Sequence, residues 1–140
     1  MSRYPTPEKI MAVPVNFKPE TIEVVKVWAK KYLHGWKTQQ IGYKRIALVA
    51  LIQGLSNVYN KPCNSITSDE YAYDPESQTI HLDEDKASIL STLHEFGHHL
   101  YGASELKACR WSIQLFKICF PKTFESLEWE GHMLKQKPSE

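Results

Sequence analysis

The sequence predicts an α+β domain that is mostly helical, with a short β-hairpin directly before its most informative helix. Two short β-like runs, EYAYD and QTIHL, flank the turn residues Pro75-Glu76-Ser77, which is the pattern of a hairpin. The chain of 140 residues suits a single domain, 1–140, with a modest core. Three stretches have the apolar spacing or the length of helices: 19–35, 43–59 and 83–101.

The composition is that of an ordinary globular protein, with 42% apolar and 24% charged residues. A formal charge of +1 gives no electrostatic reason to expect nucleic acid or an anionic membrane as a partner. No apolar run is long enough to span a bilayer, and MSRYPTPEKIMAVPVNF lacks the apolar core of a signal peptide. The three cysteines form no CxxC pair, which indicates reduced thiols. We therefore expect a cytoplasmic protein that binds neither nucleic acid nor membranes.

The N-terminal half is predicted to hold an extended arm and two helices. Three prolines discourage helix in residues 1–17. Pro19 suits the first turn of a helix that ends near Gly35. After a loop over 36–42, the apolar stretch 43–59 could be strand or helix by periodicity, but its length and its alanines and leucines favour helix.

The C-terminal end is predicted to be helical and then frayed. After Pro121, the segment TFESLEWEGHMLK has the pattern of a short amphipathic helix that directs Phe124, Leu127 and Leu134 inward. Residues 135–140 are predicted to be a frayed tail.

The motif HEFGH in LHEFGHHLYG has the spacing of a metal-binding catalytic site. On a helix, His94 and His98 lie one turn apart on the same face, where two imidazoles can hold one metal ion. Glu95 lies one step around the helix, where it can reach a metal-activated water without ligating the metal. We predict a helix from Asp83 to Tyr101, with acidic residues 83–85 at its start and Gly102 as its stop.

This helix is expected to be buried on nearly every side. Ile89, Leu93, Phe96 and Leu100 form one apolar stripe, and Leu90, Gly97 and Tyr101 flank the histidines on the other side. Gly97 costs a helix about 1 kcal/mol relative to Ala, which suggests a close approach at that position. The alternative is a buried helix whose histidines only satisfy hydrogen bonds; the features that follow favour the metal site.

A catalytic zinc site usually takes three protein ligands, and Glu105 is the predicted third. Ser104 can cap a second helix that begins at Glu105. Small residues beside Glu105, among them Ala108, would let this helix approach the first closely. The alternative is a solvated glutamate favoured by the helix dipole. Cys109 lies one turn from Glu105 and could sit near the metal, although packing as a small core residue is the favoured interpretation.

The segment HEFGHHLYGASELKACRWSIQLFKICFP resembles the core of the gluzincin-type zinc metallopeptidases. It is most similar to the small ImmA/IrrE-like peptidases of bacteria, phages and mobile elements, in which HExxH is followed by a helix beginning ExxA and by a proline. The resemblance covers about residues 79–121 and implies one Zn²⁺ per chain, bound by His94, His98 and Glu105, with Glu95 as general base. The connection from His98 to Glu105, six residues, is shorter than is usual in that family.

The resemblance also has implications for the surroundings of the site. It implies that Thr79–Leu82 is an edge strand that pairs with an extended peptide, the alternative being a plain structural hairpin. His132 is the competing third ligand, because zinc peptidases of the SprT type use a later histidine. Nothing patterned surrounds His132, however, so a surface histidine is the favoured interpretation. Five residues are candidates for a second-shell group or an oxyanion donor: Tyr71, Tyr73, Tyr101, His99 and His132. His99 is equally compatible with an exposed position.

The sequence therefore predicts a zinc-dependent peptidase that acts on a peptide or protein substrate. Glu95 would take a proton from water and pass it to the leaving amine. Two alternatives come from other classes: a metal-stabilised protein-binding module without turnover, and a helical interaction protein without metal. Glu95 argues against the binding module, because a purely structural site has no use for a carboxylate that is not a ligand.

Overall fold

A computed structural model describes residues 4–36 and 41–137. Its mostly helical α+β architecture confirms the predicted fold class. Among the described residues, no helix is long and apolar enough to cross a membrane. The elements follow in the order α1 Pro7–Ala12, α2 Pro19–Trp36, α3 Ile41–Tyr59, β1 Asn64–Ser68, β2 Ala72–Asp74, β3 Thr79–Asp83, α4 Ile89–Tyr101, α5 Glu105–Cys119, α6 Pro121–Glu125, β4 Leu127–Glu130 and β5 Met133–Gln136.

Helices α2 and α3 form where periodicity and length predict them, and they pack against each other. Val25 and Trp28 of α2 are buried, as are Leu51 and Leu55 of α3. The loop predicted between the two helices falls largely outside the described residues, since α2 extends to Trp36 and α3 begins at Ile41.

The prediction of a fully extended N-terminal arm is wrong, because residues 7–12 form α1. The side chain of Thr6 caps this helix by accepting a hydrogen bond from the Lys9 amide at 3.3 Å. Pro7 occupies the first turn, where a missing N–H costs nothing, so the proline starts the helix instead of preventing it.

The first sheet has three strands in the order β1-β3-β2. The predicted hairpin is present: β2 pairs antiparallel with β3, with Tyr73 opposite Ile80. Strand β1, for which no sequence pattern was predicted, pairs parallel with β3 on its other side. The prediction that 79–82 is an edge strand is therefore wrong. Strand β3 is central and buried, and β2 lies at an edge of this sheet.

Helix α4 begins at Ile89, later than the predicted Asp83. Asp83 is the last residue of β3, and its Oδ1 accepts hydrogen bonds from the amides of Asp85 (3.0 Å) and Lys86 (3.3 Å). This local turn competes with helix, as short carboxylate side chains often do. Ser88 is the N-cap and accepts from the Ser91 amide at 3.1 Å.

The prediction of a C-terminal amphipathic helix is also wrong beyond Glu125. Helix α6 is short, and a second hairpin follows, in which β4 and β5 pair antiparallel with Trp129 opposite Leu134. Gly131 lies in the turn at φ +64°, a conformation that glycine adopts without strain. Residues 135 and 136 belong to β5, so the predicted frayed tail starts too early; residues 138–140 lie outside the described part.

The contact between α4 and α5 is the closest helix packing around the motif. A Cβ added to Gly97 would lie only 3.0 Å from the Cα and from the carbonyl oxygen of Ala108. Ala108 itself is fully buried, as are Leu93 and Phe96 on α4. The two small residues therefore allow the backbones to approach, as the sequence predicts. This approach brings the start of α5 beside the histidines of α4.

Candidate metal centre

Three side chains from two helices converge at the site. His94 and His98 lie one turn apart on α4, with ring centroids 4.9 Å apart. Glu105 is the first residue of α5, and the side chain of Ser104 caps that helix as predicted. The Glu105 Oε1 atom lies 2.6 Å from His98 Nε2, and its Oε2 atom lies 3.4 Å from His94 Nε2. The site is therefore built around the Glu105 carboxylate.

Gly102 orients the His98 ring. The Nδ1–H of His98 donates a hydrogen bond to the Gly102 carbonyl oxygen at 2.7 Å. Since a carbonyl only accepts, Nδ1 carries a proton. Nε2 faces Glu105 Oε1, and in the metal-free site a hydrogen bond between these two atoms needs a second proton. Gly102 reaches this position with φ +76° and ψ −145°, a conformation that residues with a Cβ rarely adopt. The sequence predicts Gly102 only as a helix stop; no sequence signal indicates its carbonyl contact with His98.

His94 is more deeply buried, at 7% exposure, and this burial lowers the pKa of its imidazole. Its Nδ1 lies 3.8 Å from the Sγ of Cys109, a residue that is fully buried on α5. Donor atoms of His94, Glu105 and Cys109 lie within 4.8 Å of one another, so this group could hold a metal ion. Burial raises the pKa of the Cys109 thiol to about 12, which disfavours the thiolate form that binds metals.

One of the two imidazole–carboxylate distances around Glu105 already fits a tetrahedral metal ion, and the other is too short. Two donors bonded to one zinc ion at about 2.0–2.1 Å lie roughly 3.3–3.4 Å apart. His94 Nε2 and Glu105 Oε2, 3.4 Å apart, have this separation. His98 Nε2 and Glu105 Oε1, at 2.6 Å, are at hydrogen-bonding distance and would have to separate by several tenths of an ångström. In both pairs an imidazole nitrogen faces a carboxylate oxygen, and both kinds of atom are metal donors.

Glu95 lines a groove next to these residues. The groove has a volume of about 470 Å³ and is lined by Ala72, Tyr73, Pro75, Glu95, His98, Gly102 and Ala103. Burial raises the pKa of the Glu95 carboxyl to about 7, with a further increase from the Glu105 charge and an opposing effect from His98. A carboxyl group in this environment can both accept and return a proton near neutral pH.

His99 is buried at 2% exposure and is not the exposed residue that the sequence also allowed. Its Nδ1 lies 2.7 Å from the Tyr73 hydroxyl, and its Nε2 lies 3.2 Å from the Lys61 carbonyl oxygen. Nε2–H therefore donates to Lys61 and Nδ1 accepts from Tyr73. Burial lowers the pKa of His99, in agreement with a neutral ring. His99 holds α4 against β2 and the loop before β1, and it positions the Tyr73 ring in the groove.

The other candidate donors occupy different places. The Tyr71 hydroxyl accepts from the Ser88 amide at 2.9 Å and thus supports the start of α4. Tyr101 is 42% exposed. The expectation that His132 is a surface histidine is wrong: it lies in the turn between β4 and β5 with its side chain only 20% exposed, and its Nε2 is 3.6 Å from Glu105 Oε2. Both residues considered as third ligand, Glu105 and His132, are therefore close together.

Comparison of the chain with protein-family models, with curated proteins and with solved structures finds no match.

Proposed function

We propose that the protein is a zinc-dependent peptidase. The observation that carries this proposal is the convergence of His94, His98 and Glu105 beside a groove that His98 and Glu95 line. Two imidazoles and one carboxylate are a known catalytic zinc set. When bound in such a set, zinc acts as a Lewis acid that activates water and polarises a carbonyl group.

Residues of the chain would carry out proton transfer and would orient a metal-binding histidine. Glu95 is not part of the donor set, so its carboxylate is available to take a proton from the attacking water and to give it to the departing amine. Burial raises the pKa of this carboxyl to about 7 in the metal-free protein, and the charge of a bound zinc ion would lower it towards the carboxylate form that a base requires. Gly102 fixes the orientation of His98 through its carbonyl, as the outer partner of a metal-binding histidine does.

The groove suggests how a peptide would lie. Strand β2 is an edge strand of its sheet and contributes Ala72 and Tyr73 to the groove wall. An extended peptide could pair with this edge and pass Glu95 and His98. We therefore assign the pairing with a peptide to strand β2, and not to Thr79–Leu82 as the resemblance implied.

Replacement of Glu95 by Gln tests the proposed reaction. Glutamine keeps the shape of the side chain but accepts no proton, so hydrolysis of a peptide library should fall by about 10²–10⁴-fold. Zinc content, measured by elemental analysis, should remain one ion per chain. Glu23→Gln, on the exposed face of α2, is the matched control and should cleave like wild type.

Two results would contradict the proposal. Equal cleavage of the same peptides by wild type and Glu95→Gln would show that Glu95 is not the base. If both proteins hold zinc and neither cleaves any peptide, the metal-stabilised binding module becomes the better interpretation.

A further inference from the structure

The N-terminal segment 4–15, here called the strap, is attached along α5. The Arg110 guanidinium donates two hydrogen bonds to the Lys9 carbonyl oxygen, at 3.0 and 2.8 Å. The Gln114 side-chain amide donates to the carbonyl oxygens of Ile10 and Val13, each at 2.9 Å. Ile10 is fully buried. The strap is therefore fixed on the helix that supplies Glu105.

The order of these contacts sets the direction of the strap. Lys9 contacts Arg110, whereas Ile10 and Val13 contact Gln114, farther along α5. Followed backwards from Lys9, the strap therefore runs towards the end of α5 that carries Glu105. There the Tyr4 ring stacks on the His132 imidazole, with centroids 4.3 Å apart and an angle of 4° between the planes.

His132 is held at two points. Its ring lies under Tyr4, and its carbonyl oxygen lies 3.9 Å from the Cys109 thiol of α5, within the range of a weak S–H hydrogen bond. The side chain is only 20% exposed, and Nε2 points towards Glu105 Oε2 at 3.6 Å. A parallel stack restricts the imidazole to one plane, and that plane directs Nε2 to the carboxylate.

We propose that Tyr4 is a positioning residue of the metal centre: it holds His132 so that the imidazole supports the Glu105 carboxylate from outside the donor set. Carboxylates that ligate a metal are themselves held by neighbouring polar groups, and loss of such a partner typically costs about 10–100-fold in metal affinity. The inference that this contact affects metal binding rests on the proposed function, since it takes Glu105 to be a ligand.

The first test follows the His132 ring in the metal-free, full-length protein. Nuclear magnetic resonance of histidine-labelled protein, with His132→Ala for assignment, should show His132 ring protons shifted upfield by the Tyr4 ring. Tyr4→Phe keeps the stack and should keep the shift; Tyr4→Ala should remove it. Tyr4 is 55% exposed, so its truncation leaves the core intact. Val13→Ala, an exposed change on the same strap, is the control and should leave the shift unchanged.

The second test measures zinc affinity by competition with a chelating dye. Tyr4→Ala should bind zinc about 10-fold more weakly, whereas Tyr4→Phe and Val13→Ala should match wild type. Wild-type ring shifts and affinity in Tyr4→Ala would overturn the inference, as would equal losses in Tyr4→Ala and Val13→Ala. If wild type binds no zinc, the proposed function fails, and the ring shifts alone decide whether Tyr4 positions His132.

Discussion

Two glutamates ten positions apart have different environments, and this difference is the basis for the two roles proposed for them. Glu105 faces imidazole nitrogens with both carboxylate oxygens. Glu95 is partly buried in the groove wall, and its carboxyl pKa is raised to about 7. A carboxylate surrounded by imidazoles suits a ligand, whereas a carboxyl group with a raised pKa suits proton transfer.

The raised pKa of Glu95 predicts a pH-dependent cost to stability in the metal-free protein. The folded protein holds this proton more tightly than the unfolded chain, so the carboxyl favours folding below pH 4.5, and this contribution is lost as the pH rises through about 7. Glu95→Gln should therefore stabilise the metal-free protein by roughly 1–3 kcal/mol at about pH 8, and by much less at about pH 5. Urea unfolding with chelator present measures this; a gain equal at both pH values would contradict it.

The third ligand can be decided by zinc affinity. Glu105→Gln removes the carboxylate that lies 2.6 Å from His98 and 3.4 Å from His94, so we expect it to weaken zinc binding far more than His132→Ala does. Competition with a chelator of known affinity compares the two variants. A loss confined to His132→Ala would make the histidine the ligand and favour the likeness to SprT-type enzymes.

At the scale of elements, the site depends on how closely α4 and α5 pack. His94 and His98 come from one helix and Glu105 from the other, so the donor set exists only while the two helices stay together. Gly97 and Ala108 set that separation. The hairpin β4–β5 brings a third imidazole to the site, that of His132, which follows Gly131 in the turn between the two strands.

Gly97→Ala should push the two helices apart. The new methyl group would meet the Ala108 backbone at 3.0 Å, and backbone cannot yield as a flexible side chain does. Overpacking typically costs about 1–3 kcal/mol, against a gain of up to about 1 kcal/mol in helix propensity, so we expect a net loss of stability together with weaker zinc binding. Urea denaturation and zinc titration measure both effects.

Gly42→Ala is the matched control for this prediction. It is also a helical glycine, on α3, but no atom of the described residues lies within 4 Å of the added Cβ. It should therefore gain up to about 1 kcal/mol from helix propensity alone. If Gly97→Ala stabilised the protein to the same extent, the contact between α4 and α5 would have room for a Cβ at position 97, and the prediction would be wrong.

At the scale of the whole molecule, metal binding and folding should be coupled, because the proposed ligands are brought together only by tertiary structure. At 100 times its dissociation constant, a ligand that binds only the folded state stabilises it by about 2.7 kcal/mol. Zinc should therefore raise the melting temperature of wild type, and a chelator should reverse the increase. The effect should weaken as the pH falls through the imidazole range, because protonated histidines do not bind metal.

The variant lacking both His94 and His98 is the control for this coupling, with each residue changed to alanine. Its melting temperature should not respond to zinc. An equal response of wild type and variant would place the bound metal elsewhere in the protein.

The sequence by itself determined the local features that depend on nearby residues. The spacing of His94 and His98 is fixed by the helical repeat, and Ser104 and Glu105 start α5 as their cap and dipole chemistry predicts. The hairpin before the motif helix also formed where alternation and turn residues indicated it. Local prediction was wrong where two local structures competed. At Asp83 a side-chain-stabilised turn competed with helix. The pattern of the residues after Glu125 suited both an amphipathic helix and a hairpin.

Only the tertiary structure decided which distant residues meet. The placement of β3 in the middle of its sheet depends on β1, whose pairing is parallel and not local. The contacts of His94 with Cys109 and of His132 with Tyr4 leave no periodic trace in the sequence, because they depend on how helices, hairpin and strap are placed in space. A helical or alternating pattern reports which face of an element is buried, but it does not report what covers that face.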